Sequence, residues 1–170
     1  MPSNKKMFIS IIHIFRDYPN HLALIKKTIR NQLANGFDIN TKYLKGKTLA
    51  HYVVKYNVTG LFLYLLKCGL NLNICDDNYD TPLHAAVKCN RVILVKELIK
   101  CGVDINLSGE FEATPLHTAV SEGYSEIVML LLKAGVDVSL VDERNQSALD
   151  YAIDEKNDQI INLLKNRKVS

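Results

Sequence analysis

The chain has little of what chemistry usually requires. It has no glycine-rich phosphate loop and no nucleophile elbow, and no carboxylates pair outside short polar turns. These absences argue against an enzyme and against a bound cofactor. Its 21 Lys and Arg against 18 Asp and Glu leave a net charge of +3. That is too small for the concentrated basic stripe of a nucleic-acid binder. The four cysteines, Cys68, Cys75, Cys89 and Cys101, form no C-x-x-C pair and follow no metal spacing. Asp76, Asp77 and Asp80 resemble the start of a calcium loop, but the required glycine and distal glutamate are missing. No linker or low-complexity segment interrupts the sequence, so residues 1–170 are expected to form one domain.

Long hydrophobic runs are missing too. The mostly apolar stretch from Met7 to Phe15 is too short to span a bilayer. Lys5 and Lys6 before it give the outline of a secretory signal. Arg16-Asp17-Tyr18-Pro19 follows where a small-x-small cleavage site belongs. A packed helix over residues 5–16 is therefore expected, with Phe8, Ile11, Ile12 and Phe15 on one face. No membrane contact is expected.

What the sequence does have is a period. Thr81-Pro82-Leu83-His84-Ala85-Ala86 returns 33 residues later as Thr114-Pro115-Leu116-His117-Thr118-Ala119. One step back lies Thr48-Leu49-Ala50-His51, and one step forward lies Ser147-Ala148-Leu149-Asp150. Glycine keeps the same step at Gly36, Gly69, Gly102 and Gly135. A repeat of this length means stacked helix pairs whose core lies between neighbours. A 48% hydrophobic composition can feed such a core. Threonine suits the N-cap, and proline suits the first helical position, where its missing N–H is not needed. Cys68 and Cys101 occupy one position in adjacent repeats. About 10 Å separates such positions, too far for a disulfide, so four reduced thiols and an intracellular compartment are expected.

Thr-Pro-Leu-His-x-Ala at this period resembles the ankyrin repeat. Glu126 to Val138 is similar to that family's second helix and exit loop. The resemblance covers roughly residues 20–165 and implies an all-α solenoid of about five helix-turn-helix repeats joined by hairpin loops. Residues 1–40 read as an atypical first repeat, followed by repeats at 41–73, 74–106 and 107–139 and a capping repeat at 140–170. Asn20 is expected to cap the second helix. Asn90 stands where Gly123 ends the corresponding helix one repeat later, and it tolerates the left-handed turn. Ser108 to Ala113 departs from the family's aspartate-and-glycine hairpin. The run Leu61 to Leu66 is apolar all round, so Leu63 is expected to pack under the N-terminal helix. The resemblance implies that His51, His84 and His117 are structural rather than metal ligands.

The resemblance also implies non-enzymatic recognition of a protein partner through the concave face, with no cofactor, metal or nucleic acid. Matched position by position, that face offers Lys45, Lys47, Tyr56, Asp77, Asn78, Asp80, Lys88, Glu110, Phe111, Ser121, Glu122 and Arg144. Its first hairpin is basic and its middle hairpins are acidic, a pattern that would fix a partner's register. Tyr56 and Phe111 are the aromatic anchors. Asn106, after Leu98 and Asp104-Ile105, resembles asparagines hydroxylated in some eukaryotic ankyrin proteins; exit-loop hydrogen bonding is its expected role. Lys far outnumbers Arg, and Asn and Ile are frequent, as in AT-rich genomes. By analogy this suggests a host-directed effector of an intracellular bacterium or virus, acting in host cytoplasm. The alternative is a regulatory subunit or adaptor within its own cell. A monomer is expected, with self-association left open by the cysteine pair and the apolar helix.

Overall fold

A computed structural model of the chain describes residues 4–17 and 21–166. Those residues form ten α-helices: α1 (Asn4–Asp17), α2 (Leu22–Ala34), α3 (Leu49–Lys55), α4 (Thr59–Lys67), α5 (Pro82–Lys88), α6 (Val92–Lys100), α7 (Pro115–Ser121), α8 (Ser125–Lys133), α9 (Ala148–Asp154) and α10 (Asp158–Lys165). The inner helices α3, α5, α7 and α9 stack on one another, and the outer helices α4, α6, α8 and α10 back them. Strand-like pairing among the described residues is limited to one antiparallel bridge, between Val141 and Ser147.

Each inner helix has seven residues. So short a helix is marginal alone in water; capping and stacking hold it here. In α5 the Thr81 N–H donates to His84 Nδ1 at 3.1 Å, and the His84 N–H donates back to Thr81 Oγ1. Because Nδ1 accepts, Nε2 carries the proton. It donates 3.3 Å to the Ala113 carbonyl of the next hairpin. His51 reaches the Asp80 carbonyl at 3.0 Å and His117 the Gln146 carbonyl at 3.1 Å in the same way. The motif thus ties the starts of α3, α5 and α7 to the hairpin residue 29 places beyond each histidine. Asp150 breaks the series: its carboxylate caps the Ser147 N–H at 2.8 Å but has no proton to pass on.

Leu83, Leu94, Leu98 and Leu116 are buried between layers. At the N-terminal end Phe8 fills the core, with ring centroids 6.2 Å from Phe37, 5.1 Å from Tyr43 and 5.6 Å from Tyr52. Ile11 and Ile12 are buried beside it, while the Phe15 side chain and Asn20 lie outside the described residues. The expectation for Leu63 fails: it is 63% exposed. In α4 Leu61, Phe62 and Leu65 face inward, and at about 100° per residue Leu63 points away from them. α1 packs on α2 and α3 instead.

The turn after each inner helix uses one left-handed residue, at Asn57, Asn90, Gly123 and Lys156. Asn90 adopts φ 50°, as its place in the repeat requires. In the exit loops, side chains reach into the next repeat. Asn40 Oδ1 accepts from the Asn71 N–H at 2.8 Å, and Asn106 Oδ1 accepts from the Asp137 N–H at 2.9 Å. Asn106 therefore makes an exit-loop hydrogen bond as expected, and the bond reaches the next repeat.

Candidate functional site

The hairpins between repeats carry the exposed variation, and their first residue decides their shape. Asp76 Oδ1 accepts from the N–H groups of Asn78 and Asp80, and Asp142 Oδ1 accepts from those of Arg144 and Gln146. These two hairpins need one left-handed residue each, Tyr79 and Asn145. Tyr43 and Gly109 stand at the same place without a carboxylate. Their hairpins turn through two successive left-handed residues, Lys45-Gly46 and Phe111-Glu112. Gly109 is also a point of close approach: a Cβ there would lie 2.5 Å from Asp80 Oδ1 and 2.9 Å from His84 Nε2.

The tips are stitched together by main-chain bonds. The Asp77 N–H donates to the Lys45 carbonyl, and the Glu143 N–H donates to the Phe111 carbonyl, both at 3.1 Å. Side chains join the middle pair. Lys88 Nζ, at the end of α5, lies 2.6 Å from Asp80 and 3.2 Å from Glu110. Burial lowers the Lys88 pKa, but its two carboxylate partners outweigh this and leave it above its usual value. Lys47 Nζ binds Asp76 at 2.8 Å. Burial pushes Asp76 up, yet Lys47 and the two hairpin N–H groups hold it below the usual carboxylate range.

These contacts sort the residues singled out from sequence. Asp80 is only 5% exposed, so it supports the hairpin from within and is not a tip residue. Its carboxylate must be buried because it bridges Lys88 to the Glu110 N–H. Lys47 is half-buried and committed to the buried Asp76. Tyr56 is half-buried, stacked at 6.2 Å on Tyr52, with Lys55 over its outer ring. Lys45, Asp77, Asn78, Ser121, Glu122 and Arg144 are exposed, and Phe111 projects with 63% of its surface free.

The structure brings half of these residues together. Lys88, Glu110, Phe111, Ser121 and Glu122 line one groove floored by Thr118 and Tyr151. It continues past Ser121 and Tyr151 into a second depression lined by Arg144, Gln146, Asp154 and Glu155. Lys45, Lys47, Tyr56, Asp77 and Asn78 lie nearer the N-terminal end of the same side. Tyr79, 72% exposed at its tip, is an aromatic that sequence reasoning missed. So are Tyr151, Asp154 and Glu155. One more 33-residue step from Ser121 and Glu122 reaches Asp154 and Glu155. Tyr151 showed only as a bulky residue where Thr118 and Ala85 stand in the preceding repeats. Tyr151 Oη donates 2.7 Å to Asp142 and meets the His117 ring edge-on at 5.6 Å.

No ion-binding arrangement underlies the groove. Among the described residues no three His, Cys, Asp or Glu side chains are grouped as a metal would need. The three histidines sit one repeat apart, each bonded to protein on both ring nitrogens. Burial lowers the pKa of all three, against smaller opposing effects of nearby carbonyls and carboxylates. All four cysteines are free thiols. No helix among the described residues is long and apolar enough to cross a membrane.

A family model described as ankyrin repeats (3 copies) matches residues 20–109 and again residues 91–170. No curated protein matches the chain. The family match spans α2 to α10, where the helix pairs, Thr-Pro-Leu-His caps and hairpins recur at 33 residues. The chain belongs to the ankyrin-repeat family, whose repeats serve as protein–protein interaction modules.

Proposed function

We propose that this protein recognises a partner protein through the face formed by its hairpins and inner helices, without catalysing a reaction. It scaffolds the partner or inhibits it by covering its surface. The observation that carries this is the exposed, strained Phe111 tip standing over a groove that runs from Lys88 to Glu155. An exposed aromatic beside a concavity is the usual form of an interface anchor. Backbone held in a sparsely populated region is retained where it serves a purpose. Lys45, Tyr56, Asp77, Asn78, Glu122 and Arg144 extend the contact along the same side. Asp80, Lys47 and Lys88 act on it indirectly, by holding the hairpins in place.

The residue usage supports a setting as a host-directed effector, with host cytoplasm as its place of action. A regulatory subunit in its own cell is the rival. Affinity capture from a eukaryotic lysate compares the wild type with a folded Asp77→Lys, Phe111→Ala variant. A protein held by the wild type and lost by the variant supports the reading and names the partner. Equal capture by both would move the interface to the outer helices or α1.

A further inference from the structure

The charge of the array is segregated by face as well as along its length. In repeats three to five, the hairpins and inner helices, with their turns, occupy residues 74–90, 107–123 and 140–156. They carry eleven Asp and Glu against three Lys and Arg. The outer helices and exit loops, residues 91–106, 124–139 and 157–166, carry five of each. The corresponding inner side of the second repeat, residues 41–57, has four lysines and no acid. A surplus of this kind on one face of a neutral-backed solenoid steers a partner of opposite sign to that face.

The repeat geometry shows how the face holds a cation. Lys55, Lys88, Ser121 and Asp154 occupy one position in successive repeats. At the second of these, the Lys88 ammonium bridges Asp80 and Glu110. One repeat later Glu143 stands in the place of Glu110, Ala113 in that of Asp80 and Ser121 in that of Lys88, so only the outer of the two carboxylates recurs. Glu122, Glu143 and Glu155 have no cationic partner among the described residues. Phe111 lines the same groove as Glu122, and its carbonyl accepts from the Glu143 N–H; a guanidinium or ammonium over an exposed ring is favoured.

Resting on the concave-face reading above, we infer that the groove from Phe111 to Glu155 binds a lysine- or arginine-rich segment of the partner protein. One cationic side chain sits over Ser121 against Glu143, as Lys88 sits against Glu110 one repeat earlier. A second stacks on Phe111. The segment lies along the groove, and its remaining charges meet Glu122, Asp154 and Glu155.

The test is fluorescence anisotropy with labelled nona-arginine and, as a control, labelled nona-glutamate. Two variants of equal net charge are compared: Glu122→Gln, Glu143→Gln, Asp154→Asn on the groove and Asp104→Asn, Glu126→Gln, Asp158→Asn on the outer side. Circular dichroism checks that each keeps the wild-type helix content. The groove variant is expected to bind nona-arginine about tenfold more weakly or worse, and the outer variant within about twofold of wild type. Ser121→Lys supplies an internal ammonium to Glu143 and is expected to weaken binding by a similar factor. Phe111→Ala is expected to cost about threefold. Nona-glutamate is expected not to bind this groove. Equal loss in the groove and outer variants would overturn the assignment, as would unchanged binding in both. If nona-arginine ignores the groove while lysate capture still depends on Phe111 and Asp77, the face binds a partner but the cationic segment is wrong.

Discussion

Glu112 is held at φ 59°, a left-handed conformation that costs an L-residue with a Cβ about 1–2 kcal/mol. Every hairpin is left-handed at this place: Gly46, Tyr79, Glu112 and Asn145 lie at φ 67°, 63°, 59° and 60°. The conformation is therefore set by the hairpin, and Glu112 does not choose it. Its side chain is exposed and makes no hydrogen bond or ion pair among the described residues. Glu112→Gly removes the strain and loses little contact. Glycine's freer unfolded chain takes back about 0.4–1 kcal/mol. The net gain is about 0.5–1 kcal/mol, worth roughly 1–4 °C in Tm for a chain of this size. Urea denaturation followed by circular dichroism reads it as a higher midpoint at unchanged slope. Glu112→Ala is the control: it keeps the Cβ and is expected to change stability by less than about 0.5 kcal/mol. A Glu112→Gly variant no more stable than Glu112→Ala would refute the strain argument.

His84→Ala removes the donor to the half-buried Ala113 carbonyl and the acceptor for the buried Thr81 N–H. Urea denaturation should show a loss of about 2–4 kcal/mol. The three buried histidines also set the acid response. Burial lowers their folded pKa values below the ordinary 6.5, so the unfolded chain binds protons first. Their contribution is complete above about pH 6.5 and is lost as pH falls from there towards the folded pKa values. The thermal midpoint should therefore drop over that range, and His84→Gln should drop less; a flat profile would contradict the neutral-histidine ladder. Gly109→Ala is expected to cost about 1–3 kcal/mol by the same measurement, because its methyl would displace Asp80 or His84 from bonded positions. Leu63→Glu is expected to leave the unfolding midpoint within about 0.5 kcal/mol of wild type, since the side chain faces solvent.

Much of this was legible in one dimension. A 33-residue step in the Thr-Pro-Leu-His caps and the terminal glycines fixes where each helix begins and ends. Caps and left-handed turns act between residues close in sequence, so the chain displays them directly. Asn90 could be read as a turn residue for that reason. The candidate site was legible in position and only partly in state. The period placed Phe111, Ser121, Glu122 and Arg144 on one face. It also placed Asp80 and Lys88 there as though both were available, when each holds the other.

Which charges are spent and which are free was decided by tertiary structure, because Lys47 meets Asp76 across 29 residues and Lys88 meets Glu110 across 22. Leu63 was misplaced for a related reason: a run apolar on every side does not say which side has a neighbour. That depends on how α1 seats on α2 and α3. The hairpin tips behave likewise. The presence or absence of a leading aspartate is written in the sequence, but the bonds that hold the Phe111 hairpin in place, from the Glu143 N–H and to the Asp80 carboxylate, come from other repeats. The sequence by itself determined the repeat, its caps and its face, since those arise from bonds within one turn of helix or loop. The tertiary structure decided which side chains on that face remain free for a partner, since that depends on distances between repeats.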